Sequence, residues 1–349
     1  MKDKMKVGVV FGGMSTENEV SVISANSIMK NLDKNKYDIY PIYISKEGQW
    51  NKYKYEDREI KLGSKINNIE EIDNIVKYLK NLDLIFPVLH GLYGEDGTIQ
   101  GLFELLKIPY VGCKVLASSV GMDKIYTKII FEKAGLNQTK YEYIRRYEDK
   151  YIFIDKQFNE KIVSLDEVSN IISNNLKFPM FIKPSNSGSS VGINKAENID
   201  DLKKYIKYAS KFDKKILIEE EIKGREVECA VLGNEDVIAS CVGEIKSADE
   251  FYSYDAKYNN QESKTVIPAK ISSDIEQEIK EEAIKAFKAI DGSGLSRVDF
   301  FIEYETNKIF INEINTMPGF TSISMYPKLF EASGISYSDL LDKLIDTIK

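Results

Sequence analysis

Within the first 125 residues, short apolar runs alternate with stretches of helical periodicity, and few folds satisfy that alternation. Residues 6–11 (KVGVVF) read as a fully buried strand that stops at Gly12-Gly13. Ser15 can then cap a helix in which Ala25, Ile28, Met29 and Leu32 recur at helical spacing. A second strand is predicted over 37–44 and a third in LDLIFPVLHG (82–91). Ile99, Leu102, Phe103 and Leu106 mark another helix, followed by IPYVG. Strand alternating with helix predicts an α/β domain built on a parallel sheet, ending near residue 125.

From Asp123 the texture changes. A helix over 123–134 leads to short strands around FPMFIKP and VGINKA, a helix near 198–210 and the strand KILIEEEI, which together read as a small α+β unit. Beyond Gly224 come strands at 226–232 and 237–245, a polar loop over about 247–264 and a helix over 275–290. Strands at 296–304 and 308–315, a loop and a last helix close the chain. A length of 349 residues fits two or three cores rather than one. The expected division is 1–125, 126–225 and 226–349.

Composition narrows the function. With 43% hydrophobic and 30% charged residues the chain reads as globular, and a net charge of −7 argues against a nucleic-acid partner. The run Val7–Phe11 is too short for a signal-peptide core or a membrane span. Cys113, Cys229 and Cys241 are scattered, as reduced core thiols of a cytoplasmic protein would be. His90 is the only histidine, which sets aside His-ligated metal sites and a Ser-His-Asp triad.

The sharpest chemical signal is KIFINEINTMPGFTS (308–322). Paired with SRVDFFIEY about a turn at Glu305-Thr306-Asn307, it sets Asp299 opposite Glu313 and Arg297 opposite Asn315, all on one face. Carboxylates so placed have Cβ atoms roughly 4.5–5.5 Å apart and repel unless a cation neutralises them. Two carboxylates and an amide oxygen suit Mg²⁺. The bland alternative is an exposed hairpin face with Arg297 pairing one acid. The register needs an odd-length turn.

Other stretches carry weaker signals. KPSNSGSSVG (183–192) can wrap a phosphate in backbone N–H groups and hydroxyls beside Lys183, or be a plain Ser/Gly turn. HGLYGEDGTIQG (90–101) lies at the carboxyl end of a parallel strand, where such sheets bind ligands, although Asp96 can equally cap the next helix. Glu17 in GGMSTENE can hold an ammonium group or favour a helix N-terminus. In EEEIKGREVE (219–228), Glu221 and Ile222 can meet a purine edge and Glu226 a ribose, or the acids can form a solvated turn. FYSYDAKY (251–258) reads as an aromatic lid or as a loop packed on its own domain.

In this order, FGGMSTENEVS, HGLYGEDGTIQG, MDK, FIKPSNSGSSVG, EEEIKGREVE, FYSYDAKY, SRVDFF and NEINTMPGFTS resemble the D-alanine–D-alanine ligase family of the ATP-grasp superfamily. The resemblance implies three domains with ATP clamped between the last two, and ligation of two D-alanines for peptidoglycan precursors. It implies that Lys124 and Lys183 contact ATP phosphates under the loop of Ser189 and Ser190, and that Glu219, Glu221, Ile222 and Glu226 hold adenosine. Asp299, Glu313 and Asn315 match the magnesium ligands, with Mn²⁺ as a substitute. Glu17 would grip the first D-alanine near Ser189, Tyr258 and His90. Lys257 would neutralise the transferring phosphoryl group. Arg297 and the Gly319 backbone would form the oxyanion site, and Ser324 with Met325 would receive the second carboxylate. A cytoplasmic homodimer is also implied.

Two positions depart from the family pattern: Asn18 stands where many members carry Arg, and Ile323 where many carry His. Ligases that place D-serine second are the nearest alternative. Retained Lys257-Tyr258 argues against D-lactate, and Val191 follows the serines as in housekeeping members. A phosphotransferase that stops at the acyl phosphate would not need Arg297, Gly319 and Ser324-Met325. A non-catalytic ATP-binding subunit would not need Asp299, Glu313 and Lys183.

Overall fold

The structure is a computed structural model that describes residues 4–55, 60–246 and 264–348. It holds three sheets. The first has the order β4-β3-β2-β1-β5, from β1 (Met5–Gly12), β2 (Tyr37–Ile44), β3 (Trp50–Tyr53), β4 (Ile69–Glu71) and β5 (Leu84–Val88). β1 runs parallel to β2 and β5, as expected, but β3 and β4 add on antiparallel, so the sheet is mixed. Val7, Val9 and Val10 are fully buried because β1 sits between two neighbours with helices over the sheet. Gly12 turns the chain at φ +91°, and a Cβ there would strike the Ile44 carbonyl. Helix α1 (Asn18–Asn31) starts later than Ser15 suggested. Glu17 occupies its N-cap, while Ser15 Oγ donates to the His90 carbonyl (2.6 Å) and accepts from Glu17 N–H.

Helices α2 (Ile75–Leu79), α3 (Thr98–Leu106), α4 (Val115–Met122) and α5 (Lys124–Lys133) follow. Asp96 caps locally, accepting from Thr98 N–H (3.0 Å) and Tyr93 N–H (2.8 Å), while Gly97 is the formal N-cap of α3. Asp123 caps α5 and thereby sets Lys124 at its first position.

The second sheet is antiparallel, β10-β9-β11-β6-β7-β8. The sequence reading found β9 (Met180–Pro184), β10 (Asn194–Ala196) and β11 (Lys215–Glu220) but not β6 (Tyr141–Tyr147), β7 (Lys150–Ile154), β8 (Glu160–Val163) or helix α6 (Leu165–Asn175). With α7 (Ile199–Ala209) these elements bury a core of their own around Ile144, Ile172, Ile182 and Ile206.

The third sheet is β14-β13-β12-β15-β16, also antiparallel: β12 (Gly224–Gly233), β13 (Ile238–Lys246), β14 (Lys264–Val266), β15 (Gly294–Glu303) and β16 (Ile309–Asn315). A helix over Ser273–Ala289 covers one face. The chain ends in two helices, Met325–Ala332 and Tyr337–Asp346, rather than one. These last helices share a core with the first sheet, where Val7, Phe86, Phe320, Tyr326 and Leu344 pack together. Among the described residues no helix is long and apolar enough to cross a membrane.

Candidate active site

The hairpin of β15 and β16 sets Arg297 opposite Asn315 and Asp299 opposite Glu313, as expected. The reason differs from the one expected. The turn holds four residues, Tyr304–Asn307, closed by Glu303 N–H to the Lys308 carbonyl (3.0 Å), with Asn307 left-handed at φ 55°. An even turn alone would carry the wrong register to the site. The register shifts between Asp299 and Phe300, where Asn312 is the extra residue of a β-bulge, and this restores the pairing of the acids.

The face is buried. Asp299 is 2% exposed, and Arg297 forks onto it with Nε and Nη2 each at 2.7 Å, while Nε also lies 3.0 Å from Glu228. Arg297 therefore does pair one acid, as the bland alternative had it, but inside the protein. Asn315 Nδ2 donates to Asp299 (3.0 Å), and Lys124 stands 3.7 Å from Glu313. Among the described residues no three His, Cys, Asp or Glu side chains are grouped to hold a metal. A cation here would have Asp299, Glu313 and the Asn315 oxygen, with water or phosphate completing its shell. That donor set fits Mg²⁺.

Three more segments reach the same cavity, of about 170 Å³. From the first sheet come Glu17, just past β1, and His90, just past β5, the carboxyl edge at which such sheets bind ligands. From the second sheet comes the loop between β9 and β10. Its Ser189 donates to Glu17, and Ser189 and Ser190 are both left-handed (φ 49° and 61°), a strain that persists where surroundings enforce it. A Cβ on Gly188 would lie 2.8 Å from the Glu17 carboxylate, so this approach requires glycine. Lys124 donates to the Ser187 carbonyl at 2.7 Å. From the third segment come Gly319, Ile323, Ser324 and Met325. Ser324 is the N-cap of the helix Met325–Ala332, and its Oγ accepts from Thr321 N–H at 3.0 Å.

His90 is buried and held neutral, since burial lowers its pKa. Its Nδ1 donates to the Met317 carbonyl (3.1 Å), so Nε2 accepts from Ser24 Oγ (3.1 Å), which in turn accepts from Phe320 N–H. His90 thus fixes the Met317–Phe320 turn. Asn18 donates to the carbonyls of Gly13 and Ile44 and joins the turn after β1 to β2.

Glu95, which the sequence reading passed over for Asp96, also lines this cavity. It accepts from Gly91 N–H (2.8 Å), yet burial, then the charge of Glu17, pushes its carboxyl up to about 8 from 4.5. Between those values the folded protein keeps a proton that the unfolded chain has released, so this group lowers stability as pH rises from about 4.5 to about 8. Glu95→Gln is expected to flatten the fall of the urea midpoint over that window relative to the parent. Parallel curves for the two proteins would contradict the assignment.

A second cavity of about 860 Å³ lies between the second and third sheets. Lys183, Ser190, Glu219, Glu221, Ile222 and Glu226 line it, with Phe181, Lys195, Phe301 and Ile311, which the sequence reading did not single out. Ser190, Ile193, Ile245 and Glu313 line both cavities, which therefore adjoin. Glu219 is 3% exposed and pairs with Lys183 and Lys128, which hold its carboxyl down at about 2 despite burial. Glu221 pairs with Lys195 at 2.9 Å. Lys257, Tyr258 and the expected aromatic lid lie outside the described residues.

Residues 6–113 match the family model D-ala D-ala ligase N-terminus, and residues 129–346 match D-ala D-ala ligase C-terminus. The chain belongs to the D-alanine–D-alanine ligase family. Its relatives in that family include the D-alanine–D-alanine ligases of Acetivibrio thermocellus, 51% identical over 99% of this chain and 96% of that protein, and of Ruminiclostridium cellulolyticum, 49% identical over 98% and 95%. Among solved structures, the VanG D-Ala:D-Ser ligase from Enterococcus faecalis superposes with a TM-score of 0.85 at 38% identity, covering 99% of this chain and 100% of that one. The D-alanine–D-alanine ligase from Coxiella burnetii gives 0.80 at 32% identity, covering 99% and 94%. The ATP-grasp architecture expected of the family is the three-sheet arrangement described above.

Proposed function

We propose that the chain joins two molecules of D-alanine into D-alanyl-D-alanine, converting ATP to ADP and phosphate by way of a D-alanyl phosphate, in the synthesis of peptidoglycan precursors. The observation that carries this reading is the meeting of Glu17, Lys124, Ser189, Arg297, Glu313 and Ser324 in one cavity of a chain 51% identical to such a ligase.

In this reading the nucleoside lies along Glu221, Ile222 and Glu226 among Phe181, Phe301 and Ile311. Lys124, Lys183 and the loop of Ser189 and Ser190 hold the phosphates, and Glu219 acts through the lysines it pairs. Bound at Asp299, Glu313 and Asn315, Mg²⁺ or Mn²⁺ would neutralise phosphate charge and align the transferring group. Glu17, kept in place by Ser189, takes the ammonium of the first D-alanine. That substrate's carboxylate oxygen attacks the γ-phosphorus, and ADP leaves. The second D-alanine sets its carboxylate at the helix N-terminus formed by Ser324 and Met325. Its neutral amine attacks the acyl carbon, Arg297 and the Gly319 N–H stabilise the oxyanion, and the C–O bond to phosphate breaks as the amine's proton passes to the departing phosphate. Lys257 would share in neutralising the phosphoryl group and Tyr258 in closing the first-substrate site. The same reading carries a cytoplasmic homodimer.

The likeness to the VanG ligase favours one rival, D-serine as the second substrate. Mass analysis of products from D-alanine with excess D-serine separates the two. D-alanyl-D-alanine is expected to dominate, and a dominant mixed dipeptide would overturn the preference.

A further inference from the structure

Lys128 has no place in the chemistry above, yet it is a lysine only 3% exposed. It lies on α5 one turn beyond Lys124, and its Nζ sits 2.9 Å from Glu219 Oε2. The other oxygen of Glu219 meets Lys183. The exposures grade outward: the Lys128 side chain is 3% exposed, Glu219 5% and Lys183 12%, and of the three only Lys183 and Glu219 line the nucleotide cavity. The Lys128 backbone carbonyl accepts from Gln138 Nε2 at 2.8 Å, and its Nζ stands 5.4 Å from the centre of the Tyr141 ring.

A buried lysine is costly unless paired, and Glu219 already has a partner in Lys183. Lys183 and Glu219 alone would make a neutral pair, with the lysine drawn to its own acid and little net field left for a ligand. Adding Lys128 makes the cluster net positive, with the surplus charge at the cavity. In an interior of low dielectric that field is weakly screened. Burial lowers the Lys128 pKa against the pull of Glu219, while Glu219 is held low and Lys183 is raised by Glu219 although burial opposes it.

We propose that Lys128 is a positioning residue for nucleotide phosphate: by occupying one oxygen of Glu219 from behind, it frees the charge of Lys183 for the phosphates. This rests on the reading of the second cavity as the ATP site. It deepens that reading by making the phosphate affinity depend on a residue that acts through Glu219.

The test measures steady-state dipeptide formation and adenosine inhibition by full-length parent, Lys128→Met, Lys128→Arg and Lys128→Met/Glu219→Gln. Lys128→Met is expected to raise the KM for ATP roughly tenfold or more while kcat changes less than about threefold. Inhibition by adenosine, which carries no phosphate, should be unchanged. Lys128→Arg should stay near the parent. Removing the acid in the double variant restores a net positive cluster and should bring the KM back to within about threefold of the parent. A KM for Lys128→Met within about twofold of the parent, or a double variant as weak as the single one, would overturn the proposal. Should Lys128→Met be too unstable to assay, Lys128→Gln takes its place under the same criteria. A parent enzyme without saturable ATP dependence would instead remove the ATP reading itself.

Discussion

Glu313→Gln is expected to lower turnover on the order of 10³-fold while leaving the fold intact, a loss beyond the roughly 10–100-fold that follows removal of a metal site's outer partners. The substitution keeps shape and one oxygen but removes half the carboxylate charge of the Asp299–Glu313 pair. Its structural cost is small, because Glu313 is 30% exposed and its ion pair with Lys124 is long at 3.7 Å. The melting temperature should therefore stay within about 3 °C of the parent. Near-normal kcat in Mg²⁺ would remove the acid from the proposed metal site. A collapse of stability would show that its role is structural.

Arg297→Met should fail in both respects. Arg297 is clamped between Asp299 and Glu228, which are 2% and 3% exposed, by three contacts of 2.7–3.0 Å. Removing the guanidinium leaves two buried carboxylates without it, a loss of about 3–5 kcal/mol from a total stability usually about 5–15 kcal/mol. Any folded remainder should also lose roughly 10²–10³-fold in kcat, the usual effect of deleting an oxyanion donor. Arg297→Lys keeps the charge but not the two-pronged fork, and should recover stability only in part. Urea unfolding and kcat on the same preparations check this. A variant as stable as the parent would show that the clamp is not what balances the acids.

The residues that meet at the site were legible in the sequence to different depths, and the differences have physical causes. Alternation along a strand was enough to put Arg297, Asp299, Glu313 and Asn315 on one face. The turn was not legible, because pairing about Thr306 gives the same register at the site as a four-residue turn with a bulge at Asn312. Only the side chains nearer the turn distinguish the two. β6 is hard to read because Ile144 is its one buried residue, with Glu142 and Arg146 on the same face. The signal that could have found β6 and β7 is the Glu148-Asp149 turn before YIFI, together with the capping box of Ser164 and Glu167 that opens α6.

Glu95, Glu228 and Lys128 were invisible for a different reason. Glu228 and Lys128 pair with residues distant in sequence, and the burial of Glu95 beside Glu17 comes from the fold, so nothing local separates them from the many solvated acids and lysines of this chain. His90 was singled out as a neighbour of the first substrate. The structure adds its hold on the Met317 carbonyl, a contact between residues far apart in the chain. Asn18 and Ile323 separate in the same way. Asn18 is buried against backbone carbonyls, whereas Ile323 is exposed at the mouth of the cavity.

The most direct measurement is ADP release by the purified protein with ATP, Mg²⁺ and D-alanine as the only amino acid, with the product identified by mass. The account predicts one ADP for each D-alanyl-D-alanine formed, and no sustained release without D-alanine. ADP release without dipeptide, or no D-alanine dependence at all, would contradict it.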